Sequence, residues 1–213
     1  VSPEVLSYIL DQQTPEQLLE GSLNTAAILF FDIRGFSSAA EHIAPRDLLK
    51  ALNEHLAIII ESVEQFQGTI VNFIGDAVLA IFNCPVPLKE PADAALNCYL
   101  KCQSRFKALH EKQKSLGKIV FELGAGINFG TVVSGAIGAE NRFSYNVLGD
   151  EVNLAARLEG LTRQYPVDII LSETSYCQLT PRLATKCIQF DYVQVKGREN
   201  PVGLYTLTKM KDQ

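Results

Sequence analysis

The chain has 213 residues, 47% apolar and 20% charged, with a net charge of −5 and a pI near 5.3. That length fits one sizeable domain with its own core, and the acidic balance excludes the basic footprint of a nucleic-acid-binding protein. No apolar run approaches the ~20 residues a bilayer requires, and residues 1–10 lack the basic start of a signal peptide. No membrane partner is expected for this segment, and a cytoplasmic setting is. Five cysteines, Cys84, Cys98, Cys102, Cys177 and Cys187, are odd in number and irregularly spaced. That reads as buried free thiols in a reducing cytosol, not as a disulfide framework.

The chain opens on Val1, and residues 1–25 are polar at "DQQTPEQ" and close on "EGS". They read as a lead-in from an upstream domain, with the folded domain over 26–213. Residues 26–33 ("AAILFFDI") form a continuous apolar run, as a strand buried on both faces would. A helix is predicted over 45–67, with Pro45 in its first turn and Gly68 as its stop. Its apolar stripe is Leu48, Leu52, Leu56, Ile59, Val63 and Phe66. Short strands over 69–74 and 77–82 flank Gly75-Asp76, a hairpin-turn signal. A second helix spans 92–116, with Ala95, Cys98, Cys102, Phe106 and Leu109 on one face. Strands follow over 121–129 and 131–136 about a turn at Gly130. A helix over 149–162, a strand over 167–171 and a hairpin of 187–196 with 202–208 complete the chain. The order strand, helix, strand, strand, helix, strand is that of a ferredoxin-like α+β core, palm-like, with a C-terminal helix and hairpin added.

This topology brings two carboxylates together. Asp32 ends the first strand, and in a right-handed split βαβ unit the tip of the next hairpin, with Asp76, lies at the same sheet end. An ionised carboxylate among apolar strands needs compensation. Two such aspartates can share a proton or hold divalent metal, since Mg²⁺ typically takes one or two protein carboxylates. Taken singly, Asp32 would cap a turn and Asp76 would fill a hairpin; as a pair they favour metal.

"FFDIRGFS" (30–37), "VNFIGDAVLAIF" (71–82), "YNVLGDEVNLAARLEG" (145–160) and "VQVKGRENPVGLYTL" (193–207) occur in an order that resembles the class III nucleotidyl cyclases. The likeness extends over about residues 26–208. It implies conversion of a nucleoside triphosphate to its 3′,5′-cyclic monophosphate and pyrophosphate, with two divalent cations, Mg²⁺ or Mn²⁺, in a homodimer with shared sites. The resemblance makes Asp32, Asp76 and the carbonyl of Ile33 metal ligands. It makes the backbone at Phe36 and Ser37 a phosphate cradle and Lys196 a contact to the terminal phosphates. Asn153 and Arg157, four apart on one helix face, match the family's transition-state pair. Some members carry an arginine where this chain has Gly124.

Asn72 and Asn146 occupy the family's purine-reading positions, where adenylyl cyclases commonly have Lys with Asp or Thr and guanylyl cyclases Glu with a small residue. An asparagine amide offers both a donor and an acceptor, so the pair suits either base. ATP is the expected substrate and GTP the alternative. The competing readings are a non-catalytic, dimerising cyclase-like module and another two-metal palm enzyme. The intact set of Asp32, Asp76, Asn153 and Arg157 argues against the first. The absence of a Gly-Gly-Asp/Glu-Glu-Phe signature argues against the second. No Walker A sequence is present, and His42, His55 and His110 form no metal or triad pattern. An upstream sensor domain is the expected partner.

Overall fold

The computed structural model describes residues 20–139, 142–196, 198 and 200–208, together with positions 7 and 11. Most of the expected lead-in therefore lies outside the described residues. Strand β1 (Ser22–Arg34) contains the apolar run but starts before residue 26. Its first residues alternate and pair with the far part of a long neighbour, from Ser22 opposite Ser134 to Thr25 opposite Thr131. Ala27, Leu29, Phe31 and Ile33 enter one core layer, and Ala26 and Ile28 the other, as strand alternation dictates.

A short helix, α1 (Phe36–Ala40), follows Gly35, whose φ of 87° turns the chain sharply out of β1. Helix α2 (Pro45–Gln65) buries Ala51, His55, Ile58, Ile59, Ser62 and Val63, while Leu48, Leu52 and Leu56 are only partly covered. The buried face is thus turned from the expected stripe. It tolerates polar groups because the helix itself satisfies them: Ser62 Oγ donates to the Ile58 carbonyl at 2.7 Å, and His55 Nδ1 lies 2.7 Å from the Ala51 carbonyl. The residue that closes the helix in left-handed geometry is Gln67, φ 57°, and not Gly68.

Strands β2 (Thr69–Ile74) and β3 (Ala77–Phe82) have the expected limits. Gly75, φ 65°, is the first central residue of their two-residue turn, where a II′-type hairpin needs glycine. Helix α3 (Pro91–Lys114) buries Ala95, Cys98, Cys102 and Phe106 as expected. The five cysteines are free thiols, but only Cys84, Cys98 and Cys102 are buried; Cys187 is half-buried and Cys177 exposed.

The expected turn at Gly130 does not exist. Strand β4 runs unbroken from Glu122 to Ala139. An unexpected strand, β5 (Arg142–Leu148), returns along its second half. Then come α4 (Asp150–Leu161), β6 (Ile169–Ser172), the short helices α5 (Glu173–Cys177) and α6 (Pro181–Ala184), and the hairpin β7 (Cys187–Val193) with β8 (Val202–Leu207).

The sheet order is β2-β3-β1-β4-β6-β8-β7, with β5 also on β4. Strand β3 lies between β1 and β2, antiparallel to both, so β1 and β2 run parallel as in a split βαβ unit. Helices α2 and α3 cover one face of the sheet, and α4 sits on the other.

The seat of α4 explains the glycines of "GAGINFG". Gly124, Gly126, Asn128 and Gly130 alternate along β4 and face the helix. A methyl group on Gly126 would lie 2.2 Å from the Ala155 carbonyl oxygen and 2.4 Å from the Glu159 nitrogen. One on Gly130 would lie 2.6 Å from Glu151 Cγ. Between them, buried Asn128 donates to the Glu151 carbonyl at 3.0 Å and accepts from Ser172 Oγ at 2.7 Å. No helix among the described residues is long and apolar enough to cross a membrane.

Candidate active site

The β1–β3 register puts Asp32 opposite Ala77, next in sequence to Asp76. The hairpin tip thus delivers the second carboxylate beside the first. Asp32 is 8% exposed, on the same sheet face as α4. Ile33 is one residue beyond the last β1–β3 pair and opposite Leu123 on the other side. Burial, with Asp32's charge beside it, pushes the Asp76 carboxyl above the usual aspartate range.

A third carboxylate lies beneath the pair. Glu159, on the buried face of α4, is 4% exposed, and its Oε1 has no hydrogen-bond partner. Burial, then the charges of Asp32 and Asp76, push its pKa up to about 7, against the pull of Arg163 and Arg34. Arg163 Nη2 is 2.6 Å from Asp32 Oδ2 and 3.7 Å from Glu159 Oε1. Arg34 is fixed below by Asp168 at 3.0 Å and by the carbonyls of Thr162 and Val167 at 3.2 and 3.1 Å. A methyl group on Gly124 would lie 2.9 Å from Arg34 Nε and 3.0 Å from Glu159 Oε1. Any side chain there would displace this arrangement.

Asn153 is exposed on α4 and Arg157 half-buried. Arg157 sits two residues from Glu159, about 200° round the helix, so it points away from the carboxylates. No hydrogen bond or ion pair among the described residues joins the two sets. Arg157 Nη1 lies 3.8 Å from Asp150, which also meets Arg198 at 2.9 Å. The two asparagines expected to read the purine sit on neighbouring elements: Asn72 is exposed on β2, and Asn146 half-buried on β5. The strands touch, with Val71 and Val147 in one apolar cluster. Asn146 Oδ1 accepts from the Val147 amide at 2.8 Å, which leaves its NH₂ as the free end. Phe36 is the first residue of α1 and packs on Phe121, with ring centres 6.0 Å apart. Ser37 and Lys196 are exposed.

Residues 19–209 match the family described as "Adenylate and Guanylate cyclase catalytic domain". The chain belongs to this class III cyclase family. Adenylate cyclase 1 of Rhizobium meliloti is 32% identical over 177 residues, covering 83% of this chain and 26% of its own length. The chain thus spans about a quarter of that curated relative. The crystal structure of the guanylyl cyclase Cya2 superposes with a TM-score of 0.78 at 31% identity, covering 88% of this chain and 93% of that one. The structure of a bacterial light-regulated adenylyl cyclase gives 0.82 at 26% identity, covering 97% and 58%. The palm-like α+β fold of the cyclases is therefore the fold of this chain.

The cyclase site can be tested for metal from its own donors. Among the described residues no group of three or more His, Cys, Asp or Glu side chains converges on one point. The centre is a pair of hard oxygen donors, the number Mg²⁺ takes from a protein. The raised pKa of Asp76 and the orphaned Glu159 oxygen mark an excess of negative charge that a cation would relieve. The residues fit.

Sequence reasoning missed Glu159, Arg163 and Asn128. Glu159 had a readable signal: it interrupts the buried face formed by Leu154, Ala155 and Leu158. Asn128 had none, because its partners are distant in sequence; Arg163 is four residues from Glu159, but its closer partner, Asp32, is 131 residues away.

Proposed function

We propose that this chain is the output domain of an adenylyl cyclase, converting ATP to 3′,5′-cyclic AMP and pyrophosphate in a homodimer with two shared sites. The observation that carries the reading is the adjacency of Asp32 and Asp76 through the Asp32–Ala77 register. With the Ile33 carbonyl they would hold two divalent cations, Mg²⁺ or Mn²⁺. Cations there supply the Lewis acidity that activates the ribose 3′-hydroxyl and the charge that neutralises the phosphates. Amides at Phe36 and Ser37 orient the phosphates. Arg157 places a fork of donors on the α-phosphate as charge builds there, Asn153 orients the ribose, and Lys196 reaches the terminal phosphates.

The orientation of α4 supports the shared site. Asn153 and Arg157 turn away from their own chain's carboxylates and so act on those of a second copy. Exposed Leu23, Val133 and Leu148 lie in register across β1, β4 and β5, an apolar row suited to such a contact. ATP is chosen on the adenylate cyclase relative. A guanylyl reading is second, supported by the guanylyl cyclase Cya2, 31% identical with a TM-score of 0.78. An upstream sensor as driver agrees with the light-regulated neighbour, of which this chain covers 58%.

The test mixes Asp32→Ala with Arg157→Ala protein and supplies ATP and GTP in competition. Each variant alone should be inactive and the mixture active, with cyclic AMP the main product. No recovery would sink the shared site, and a dominant cyclic GMP signal would decide for the second reading.

A further inference from the structure

Glu159 is a carboxyl group fixed in place. Its side chain is 5% exposed, its backbone nitrogen is seated against Gly126, and Arg34 beneath it is locked by three partners. Its Oε1 has no hydrogen-bond partner. Arg163 is the opposite case. Its side chain is 56% exposed, and its Nη2 lies 2.6 Å from Asp32 and 3.7 Å from Glu159. One solvent-side guanidinium therefore stands between a metal-site aspartate and an unsatisfied buried carboxylate.

We infer that Glu159 and Arg163 form a counter-charged pair that sets the affinity of the Asp32/Asp76 centre for divalent cations, Glu159 strengthening it and Arg163 weakening it. The inference rests on the metal reading proposed above. A cation at Asp32 competes with Arg163 for the Oδ2 atom. Glu159 is the acceptor placed to take the displaced guanidinium, since Arg163 lies four residues on, in the turn that follows α4, with its Nη2 already 3.7 Å from Glu159 Oε1. Its own charge also adds to the attraction on the cation. Neither residue touches the metal in this scheme; both are positioning residues acting through Asp32.

The two roles have opposite signs, which a packing role does not produce. Mn²⁺ binding to the nucleotide-free protein, followed by the electron spin resonance of free Mn²⁺ at mildly alkaline pH, reads them directly. Glu159→Gln should weaken binding about tenfold, the low end of the loss seen for partners of metal ligands. Arg163→Gln should tighten it by a similar factor. Glu159→Asp keeps the charge and should recover most of the wild-type affinity. Shifts in the same direction, no shift, or a loss in Glu159→Asp equal to that in Glu159→Gln would overturn the inference. Asp32→Ala separates the two levels. If it binds Mn²⁺ as wild type does, the metal reading falls and the inference with it. If it loses binding while the other variants do not move, only the inference falls.

Discussion

Glu159 makes the stability of this domain depend on pH in a direction opposite to that of most carboxylates. Burial and the neighbouring aspartates raise it from an ordinary 4.5 to about 7. The folded chain then holds a proton that the unfolded chain has released. Stability from this group is full below about pH 4.5 and is lost as pH rises through about 7. The whole difference corresponds to about 3 kcal/mol, of which most should lie between pH 5 and pH 8. Glu159→Gln removes the titration and keeps the shape. Its stability relative to wild type should improve by about 2–3 kcal/mol between those two pH values, whatever constant offset the amide introduces. Urea denaturation of both proteins in the presence of a chelator measures this. A mutational effect that is equal at the two pH values, or that grows more costly at pH 8, would refute the placement of Glu159 beside Asp32 and Asp76.

Gly126→Ala should displace α4, because the new methyl group meets backbone and not a flexible side chain. A loss of about 1–3 kcal/mol in urea denaturation is expected, together with a fall of roughly 100-fold in cyclase turnover as Arg157 loses its placement. A stable and fully active Gly126→Ala protein would show that the helix is not seated on this strand. Asn128→Ala leaves Ser172, Thr174 and Glu151 without their shared partner. Buried groups so orphaned should cost about 2–4 kcal/mol by the same assay. A loss below about 1 kcal/mol, the net worth of a single hydrogen bond, would mean that water replaces the amide.

Patterns that depend on near neighbours were legible. The β2–β3 hairpin was readable to the residue because Gly75-Asp76 encodes the turn locally, and Asp32 meets Asp76 because the split βαβ order leaves that hairpin one place to go. Gly130 misled because glycine serves two purposes. It marks turns, and it also clears space for a closely packed helix, as it does here for Glu151. The period-two spacing of Gly124, Gly126 and Gly130 is the signal that separates the cases. Strand β5 was the exception, readable but overlooked: "RFSYNVL" alternates polar and apolar residues, and its pairing with β4 is a local hairpin that starts with Ala139 opposite Arg142. The stripe on α2 misled because Ala51, His55 and Ser62 occupy the centre of the buried face, a choice invisible to a count of large apolar residues.

The same close seat gives α4 two simultaneous duties. Its buried face carries Glu159 to the carboxylates of its own chain, and its outer face carries Asn153 and Arg157. Glu159 and Arg157 are two positions apart on one rigid helix, so neither face can shift without the other. In the proposed dimer, the position of one helix on Gly124 and Gly126 therefore fixes the charge balance at one site and the phosphate-directed fork at the other. An arginine at position 124 would have no room here, since Arg34 and Glu159 fill that space. This chain supplies cationic charge from beneath the site and from the solvent side, through Arg34 and Arg163, and not from the central strand at Gly124.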